Sequence, residues 1–347
     1  MLKTLAIETS CDDTSVGIVS CDEKWFGVEK LFAYSQIDDH QKYGGVVPEI
    51  ASRLHSEKVL KVLDEVGLDV IKKVDMISVT THPWLPGSLV VGKAVASSLA
   101  EYFKKPLIQV NHIYGHIFSL WLDRGLDDVV LPMVVLTASG GHNDIYVISD
   151  GELKIVDDDL SWVKVWKFKI AKIWQTIDDA AGECFDKVAR MLGGPYPGWQ
   201  WISQKADNYK PWKVDDLNIS FKRIFLGKDK FEFSFSGMKS QVWFLLKQLE
   251  KNNVEITEDV ICKIAYEFQE AVVEVLVKKL IRAWIKYDVK SVGIAGGVSC
   301  NERLWQYLNQ YIDEKKLEIS RIRPVKKVYS TDNAAMIGVV GLMMNWV

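Results

Sequence analysis

Cysteine is scarce: the 347 residues hold 5, at positions 11, 21, 184, 262 and 300, an odd number without a C-x-x-C pair. That spacing excludes a disulfide framework and a zinc ribbon and leads one to expect a reducing cytoplasm. No apolar run reaches the ~18–20 residues that span a bilayer, so no membrane partner is expected. The opening MLKTLAIETSCDDT meets carboxylates early and is not expected to act as a signal peptide. A dominant charge is missing too. With 43 Lys and Arg against 46 Asp and Glu, the net charge of -3 exerts no long-range pull on a polyanion. Nucleic-acid contact must then be local, or shared with a partner. Neither G-x-x-x-x-G-K-[ST] nor a strand-led G-x-G-x-x-G occurs, which removes the P-loop and Rossmann readings. Tryptophan, by contrast, is abundant: 13, as many as phenylalanine.

The remaining composition, 48% hydrophobic and 26% charged, fits one large or two medium globular domains. Leu2 to Glu8 is β-prone, Thr9 to Thr14 supplies turn chemistry, and Ser15 to Val19 resumes a strand. The same order recurs at Met133–Leu136, Thr137–Asn143 and Asp144–Ile148, which predicts two related α/β halves. Helical periodicity covers Glu49–Val66, Gly87–Phe103, Asp178–Leu192 and Glu258–Tyr287, with strands at Met76–Thr80 and Ser291–Ala295. Trp201–Phe235 is polar and weakly periodic and predicts irregular surface structure. Asn333–Val347 predicts a buried helix in which Gly338 and Gly341 permit close packing.

Three groups of residues could carry chemistry. His112 and His116 are four apart, so on a helix they share a face and can grip one metal; the alternative is a pair of structural histidines. Ile113 stands where a zinc protease needs its glutamate base, which opposes a metallopeptidase. Asp332, in a polar turn before the last helix, is a candidate third ligand, and two His with one carboxylate suit iron(II) or zinc. The glycine turns at Ser139-Gly140-Gly141, Gly296-Gly297 and Pro197-Gly198 let backbone N–H groups approach an anion, and together they suggest a nucleotide cleft. Carboxylates gather at Glu8, Asp12 and Asp13 and again at Asp178, Asp179, Glu183 and Asp186, where Asp179, Glu183 and Asp186 are expected on one helix face. A solvated charged face is the other account of that helix.

The runs IETSCDDTSVGIV, YGGVVPEIASRLH, NHIYGH, TASGGH, IDDAAGECFDKVARMLG, YPG, FSFSGMK, AGGVSCN and STDNAAMIG span residues 7 to 338. Taken in order, they resemble the TsaD family, also called Gcp or Kae. The resemblance implies a two-lobed α/β fold like that of actin and Hsp70, with a ribonuclease-H-like sheet duplicated between the lobes. The expected lobes are residues 1–110 with 328–347, and residues 111–327. It further implies transfer of a threonylcarbamoyl group from threonylcarbamoyl-adenylate to N6 of the adenine beside the anticodon in tRNAs reading ANN codons, releasing AMP. One divalent metal, iron(II) in preference to zinc, would sit on His112, His116 and Asp332. Substrate-binding positions fall on Thr137, Ala138, Ser139, Gly140, Gly141, Asp186, Trp199 and Asn301. Asp12 or Asp13 is a candidate proton acceptor; Asp13 stands where most relatives carry Glu. Implied partners are tRNA, a paralogous TsaB-type subunit and a TsaE-type ATPase. The alternative function is an actin-like nucleotide-binding or ATPase subunit without transferase activity.

Several tryptophans stand where the resemblance places glycine: Trp84, Trp174, Trp199 and, less clearly, Trp25. The largest side chain at a turn of close backbone approach clashes with ligand or chain. These are either true tryptophans that stack on a nucleotide, or glycines encoded by UGA and written as tryptophan by the standard code. The second account expects strain or a filled cleft at Trp84 and Trp199, and UGG codons would refute it.

Overall fold

A computed structural model describes residues 1–151, 153, 160–213, 217–225 and 232–345. The first half runs β1 (Leu2–Glu8), β2 (Asp13–Cys21), β3 (Trp25–Ser35), α1 (Ile37–Gln41), α2 (Pro48–Val66), α3 (Leu68–Ile71), β4 (Met76–His82), α4 (Pro86–Phe103), β5 (Leu107–Asn111), α5 (His112–Phe118) and β6 (Arg124–Gly125). Its sheet has the order β5-β4-β1-β2-β3-β6. The second half runs β7 (Met133–Ala138), β8 (Asn143–Ser149), β9 (Trp162–Val165), β10 (Phe168–Trp174), α6 (Ala181–Met191), α7 (Gly198–Asp207), α8 (Ser236–Lys251), α9 (Glu258–Tyr287), β11 (Ser291–Ala295), α10 (Glu302–Lys315) and β12 (Ser320–Ile322). Its sheet order is β12-β11-β7-β8-β10-β9. In each sheet a parallel trio leads into an antiparallel hairpin, so the echo between the two strand-turn-strand segments is a duplicated topology.

Helix α11 (Ala334–Met344) returns to the first sheet and is buried on all sides but its end. It explains why β1 and β2 are apolar almost throughout rather than alternating: both faces are covered. Leu5, Ile7, Val16 and Ile18 pack beneath Val59, Val62 and Val66 of α2. Ala6 and Val19 point the other way, against Met336, Ile337 and Val340 of α11. The connection between halves stays with the first sheet at its start, since α5 packs on α11 and Arg124–Gly125 pairs with the edge of β3.

Two sequence expectations need correction. The helix expected from Asp178 starts at Ala181, because Asp178 is pinned outside it by Ser234 Oγ, Ser236 Oγ and the Phe235 N–H. Asp179 consequently does not share the helix face with Glu183 and Asp186, although Lys187 Nζ bridges it to Glu183. The Trp201–Phe235 segment begins inside α7, whose Ile202 and Ala206 enter the core. Beyond Asp207 its described residues carry a short turn of helix and a single β-bridge from Phe233 to Thr176, and 214–216 and 226–231 lie outside the described residues.

Candidate active site and metal centre

The carboxyl ends of the parallel strands of both sheets face one cleft of about 500 Å³, walled by Asp12, Asp13, His112, Gly140, Asp186 and Asp332 among others. Helix α5 begins directly at His112, with Asn111 Oδ1 accepting from the Ile113 N–H at 2.7 Å as its cap. One turn later His116 lies on the same face, its ring perpendicular to that of His112 with centroids 4.7 Å apart. Asp332 is presented by the turn before α11, where Asn333 accepts from Met336 N and donates to the carbonyls of Val328 and Thr331. Asp332 Oδ1 lies 3.5 Å from His112 Nε2 and 3.2 Å from His116 Nε2, and one ligand atom from each residue fits within a 4.8 Å set.

This donor set fits a metal. Both ring nitrogens of His116 are buried without an aligned hydrogen-bond partner, a costly state unless a cation takes the lone pair. His112 is oriented from behind: Nδ1 lies 3.0 Å from Ser10 Oγ and 3.4 Å from Glu8 Oε2. Glu8, fully buried, also accepts from the Ser10 N–H and from Thr80 Oγ1. A carboxylate there keeps the His112 proton on Nδ1 and turns the Nε2 lone pair toward Asp332. Burial alone would raise the Asp332 pKa, but the two imidazoles hold it well below the usual carboxylate range. Burial lowers the pKa of His116; for His112 the carboxylates of Asp332 and Glu8 outweigh it and raise the pKa.

One wall of the cleft is the tip between β7 and β8. Ser139 Oγ accepts from the N–H groups of Gly141 and His142 at 3.3 and 3.4 Å, which ties the turn together; Gly140 and Gly141 both line the cleft, Gly141 beneath the Trp84 ring. Gly182 opens α6 against this tip; a Cβ there would sit 2.6 Å from Ser139 O, so only glycine allows the approach. On α6 the apolar side chains of Cys184, Phe185 and Val188 enter the core, while Asp186 faces the cleft and accepts from the Gly198 N–H at 2.6 Å. Burial pushes the Asp186 carboxyl up to about 6. Burial, then the neighbouring Asp12, pushes Asp13 up to about 8, and burial likewise raises Asp12.

His112, His116, Asp332, Asp12, Asp13, Ser139, Gly140, Gly141, Asp186 and Trp199 therefore gather at one cleft. Thr137 and Ala138 are wholly buried in β7, and Thr137 Oγ1 donates to Asp144 O. Asn301 is buried beneath α10: its Oδ1 caps Arg303 N and Leu304 N, and its Nδ2 donates to Ser203 Oγ and Gln269 Oε1. These three shape the cleft from behind. Sequence reasoning did not single out Ser10 or His142; the second directly follows the glycine turn and is buried with both ring nitrogens unpartnered.

Trp84 fills the space where strain was expected. Its backbone has φ +109°, a region that favours glycine. Its ring stacks on His142 at 5.4 Å, stands edge-on to His112 at 6.1 Å and lies so close to Gly141 that a Cβ there would meet it. Trp199 shows no such torsion, being the second residue of a regular helix at the cleft wall. Trp174 is buried in the core at the end of β10, and Trp25 is exposed at the edge of the first sheet.

Residues 28–339 match the family model TsaD, tRNA N6-adenosine threonylcarbamoyltransferase. Among curated relatives with that name, the protein of Kosmotoga olearia is 38% identical over 98% of this chain and 92% of its own. That of Staphylococcus aureus (strain JH9) is 39% identical over 97% and 90%. The crystal structure of T. kodakarensis HypF shares the fold, with a TM-score of 0.55 at 13% identity over 98% of this chain and 48% of the HypF chain.

Proposed function

The chain belongs to the TsaD family, tRNA N6-adenosine threonylcarbamoyltransferase, and from that premise we infer how its own residues carry out the transfer. The enzyme moves a threonylcarbamoyl group onto N6 of an adenosine in tRNA. We propose that the donor is threonylcarbamoyl-adenylate, with its phosphate against the glycine turn Ser139-Gly140-Gly141. Thr137 and Ala138 carry that turn at the end of β7, Asn301 is tied by its N–H to the carbonyl of Val298 on the cleft wall, and Asp186 and Trp199 bound the far side. The observation that carries the reading is convergence: the anion-facing turn, the His-His-Asp set and the carboxylate hairpin open onto one cleft.

His112, His116 and Asp332 would hold one divalent cation; two imidazoles and one carboxylate suit iron(II), the ion favoured from the family resemblance, and zinc as well. When bound, the metal supplies Lewis-acid polarisation and orients the donor. The adenine N6 attacks the carbamoyl carbon, the new C–N bond forms, and the bond to the phosphate oxygen breaks so that AMP leaves with the electron pair. An aromatic amine is a weak nucleophile, so its proton passes to Asp13 or Asp12. The pairing of two buried carboxylates keeps one of them basic enough to take it.

The division into residues 1–110 with 328–347, and 111–327, is proposed on the two separate sheets, with 111–132 as the crossing segment. A TsaB-type paralogue and a TsaE-type ATPase are the proposed partners. Five cysteines without a disulfide between them support a cytoplasmic setting, and among the described residues no helix is long and apolar enough to cross a membrane.

The test is transfer from synthetic threonylcarbamoyl-adenylate to tRNA, with metal content measured in parallel. His112→Ala with His116→Ala should lose both bound metal and transfer. Retention of full transfer by that double variant overturns the metal assignment, and full transfer by both Asp12→Asn and Asp13→Asn overturns the acceptor.

A further inference from the structure

Behind the hairpin that carries Asp12 and Asp13 lies a chain of polar side chains with no part in the chemistry above. Thr14, Gln36, His40 and His55 are all wholly buried. One imidazole, His55 on α2, grips both flanks of the carboxylate pair: Nε2 lies 2.9 Å from Cys11 O and Nδ1 lies 2.8 Å from Thr14 Oγ1. Gln36 Nε2 approaches the same Nδ1 at 3.4 Å and Ala51 O at 3.5 Å, and Gln36 Oε1 lies 3.1 Å from His40 Nε2. The Val47 N–H reaches His40 Nδ1 at 3.3 Å.

The two ends of this chain fix its polarity. A backbone N–H can only donate, so His40 Nδ1 accepts and its proton resides on Nε2, which donates to Gln36 Oε1. The Gln36 amide then turns its N–H groups toward His55 and Ala51. The single lone pair of His55 Nδ1 faces the Thr14 hydroxyl at 2.8 Å and, more distantly, one Gln36 N–H at 3.4 Å, and the His55 proton sits on Nε2 for the one partner that can only accept, the Cys11 carbonyl. The chain spans two walls of the cleft, because Cys11, Asp12 and Asp13 line one side and Gly44, Gly45 and Val46 line another. Two adjacent carboxylates repel each other and gain hydration by swinging outward, so a hairpin tip that holds them inward needs an anchor.

We propose that Gln36, His40 and His55 are positioning residues, one buried relay that sets Asp12 and Asp13 against the Gly44–Val46 wall of the cleft. Their effect on rate rests on the reading of Asp12 or Asp13 as proton acceptor; their effect on geometry does not. Two measurements separate the parts. Amide exchange compares the full-length protein with His55→Ala, His55→Gln and His40→Gln. Because the relay is continuous, His55→Ala should speed exchange in residues 42–47 as well as 11–14, and His40→Gln should do the same from the other end. Unchanged exchange at the far wall in both variants overturns the relay, and Thr14→Val provides the same readout if His55→Ala fails to fold.

Steady-state transfer then tests the route to chemistry. His55→Ala should lower kcat by about 10–100-fold with KM for tRNA within about twofold, the pattern of a lost transition-state alignment. His55→Gln, which keeps an N–H for Cys11 O, should recover part of that loss. Metal content should not change. Placed on Asp13→Asn, His55→Ala should cost little more, whereas independent, multiplied losses in both Asp12→Asn and Asp13→Asn backgrounds overturn action through the carboxylates. Should both Asn variants transfer normally while His55→Ala still loosens both walls, the acceptor assignment falls and the relay stands.

Discussion

Trp84 holds a torsion that brings Cβ against its own backbone, a strain of about 1–2 kcal/mol for a side chain other than glycine. Its ring also occupies the approach to Gly141 and His142. Trp84→Gly is therefore expected to leave the unfolding midpoint unchanged or higher despite removing the largest side chain, and to tighten donor binding; calorimetry and equilibrium binding measure the two. Trp174→Gly is the contrast: that side chain fills the core behind β10, and truncation should cost about 3–5 kcal/mol. If UGA encodes position 84, peptides spanning it from the source organism carry glycine, and a tryptophan mass there refutes recoding. A pH prediction belongs to Asp13. A base works only when ionised, and this carboxyl is pushed up to about 8, so kcat should rise with pH until about 8. Asp13→Asn should abolish that limb; a flat profile in the wild type overturns Asp13 as acceptor. The proposed metal ligands were legible as residues because His112 and His116 repeat at helical spacing. Their partners were not: Glu8 and His112 are over a hundred positions apart and meet only because β1 and β5 end at the same rim of the sheet.

At the scale of elements, α11 links packing to chemistry. Its first turn is tied to β2 by the Ala334 N–H and Ser15 Oγ at 3.0 Å, and the turn before it presents Asp332. A Cβ on Gly338 would lie 2.5 Å from Val19 Cγ2 and 2.9 Å from Val19 Cβ, so the helix rests directly on the sheet. Gly338→Ala should cost about 1–3 kcal/mol through overpacking and displace Asp332, so metal affinity should fall with stability. Chelator competition and denaturant unfolding read both; an unstable variant with unchanged metal affinity would separate α11 from the site. This helix was readable in the sequence, since an apolar run with two glycines has few other uses. The start of α6 was not, because Asp178 continues the helical pattern but is captured by two serines and two backbone N–H groups from residues 234–236. Such a capture depends on chain segments more than fifty residues apart, which periodicity does not register.

Across the whole molecule, the duplicated strand-turn-strand pattern foretold two sheets, and the near-zero charge predicts weak attraction for a polyanion. Several basic groups on the second half are already engaged: Lys187 and Lys239 with Asp179, Arg223 with Glu274, and Arg303 with Glu270. The net charge of -3 leaves no overall excess of cations to draw in a phosphate backbone, and each neutralised phosphate contributes about 0.7–0.9 to the salt slope. The isolated chain should bind tRNA weakly, with log K falling against log salt by no more than about 3, as for three or four phosphate contacts. A composite surface predicts a different result with a TsaB-type partner present: tighter binding and a slope steeper by about one for each added contact. Fluorescence titrations of labelled tRNA at stepped salt concentrations decide between these cases. A steep slope for the chain alone would place the tRNA surface here, whereas a slope unchanged by the partner would confine the partner's role to the donor side of the reaction.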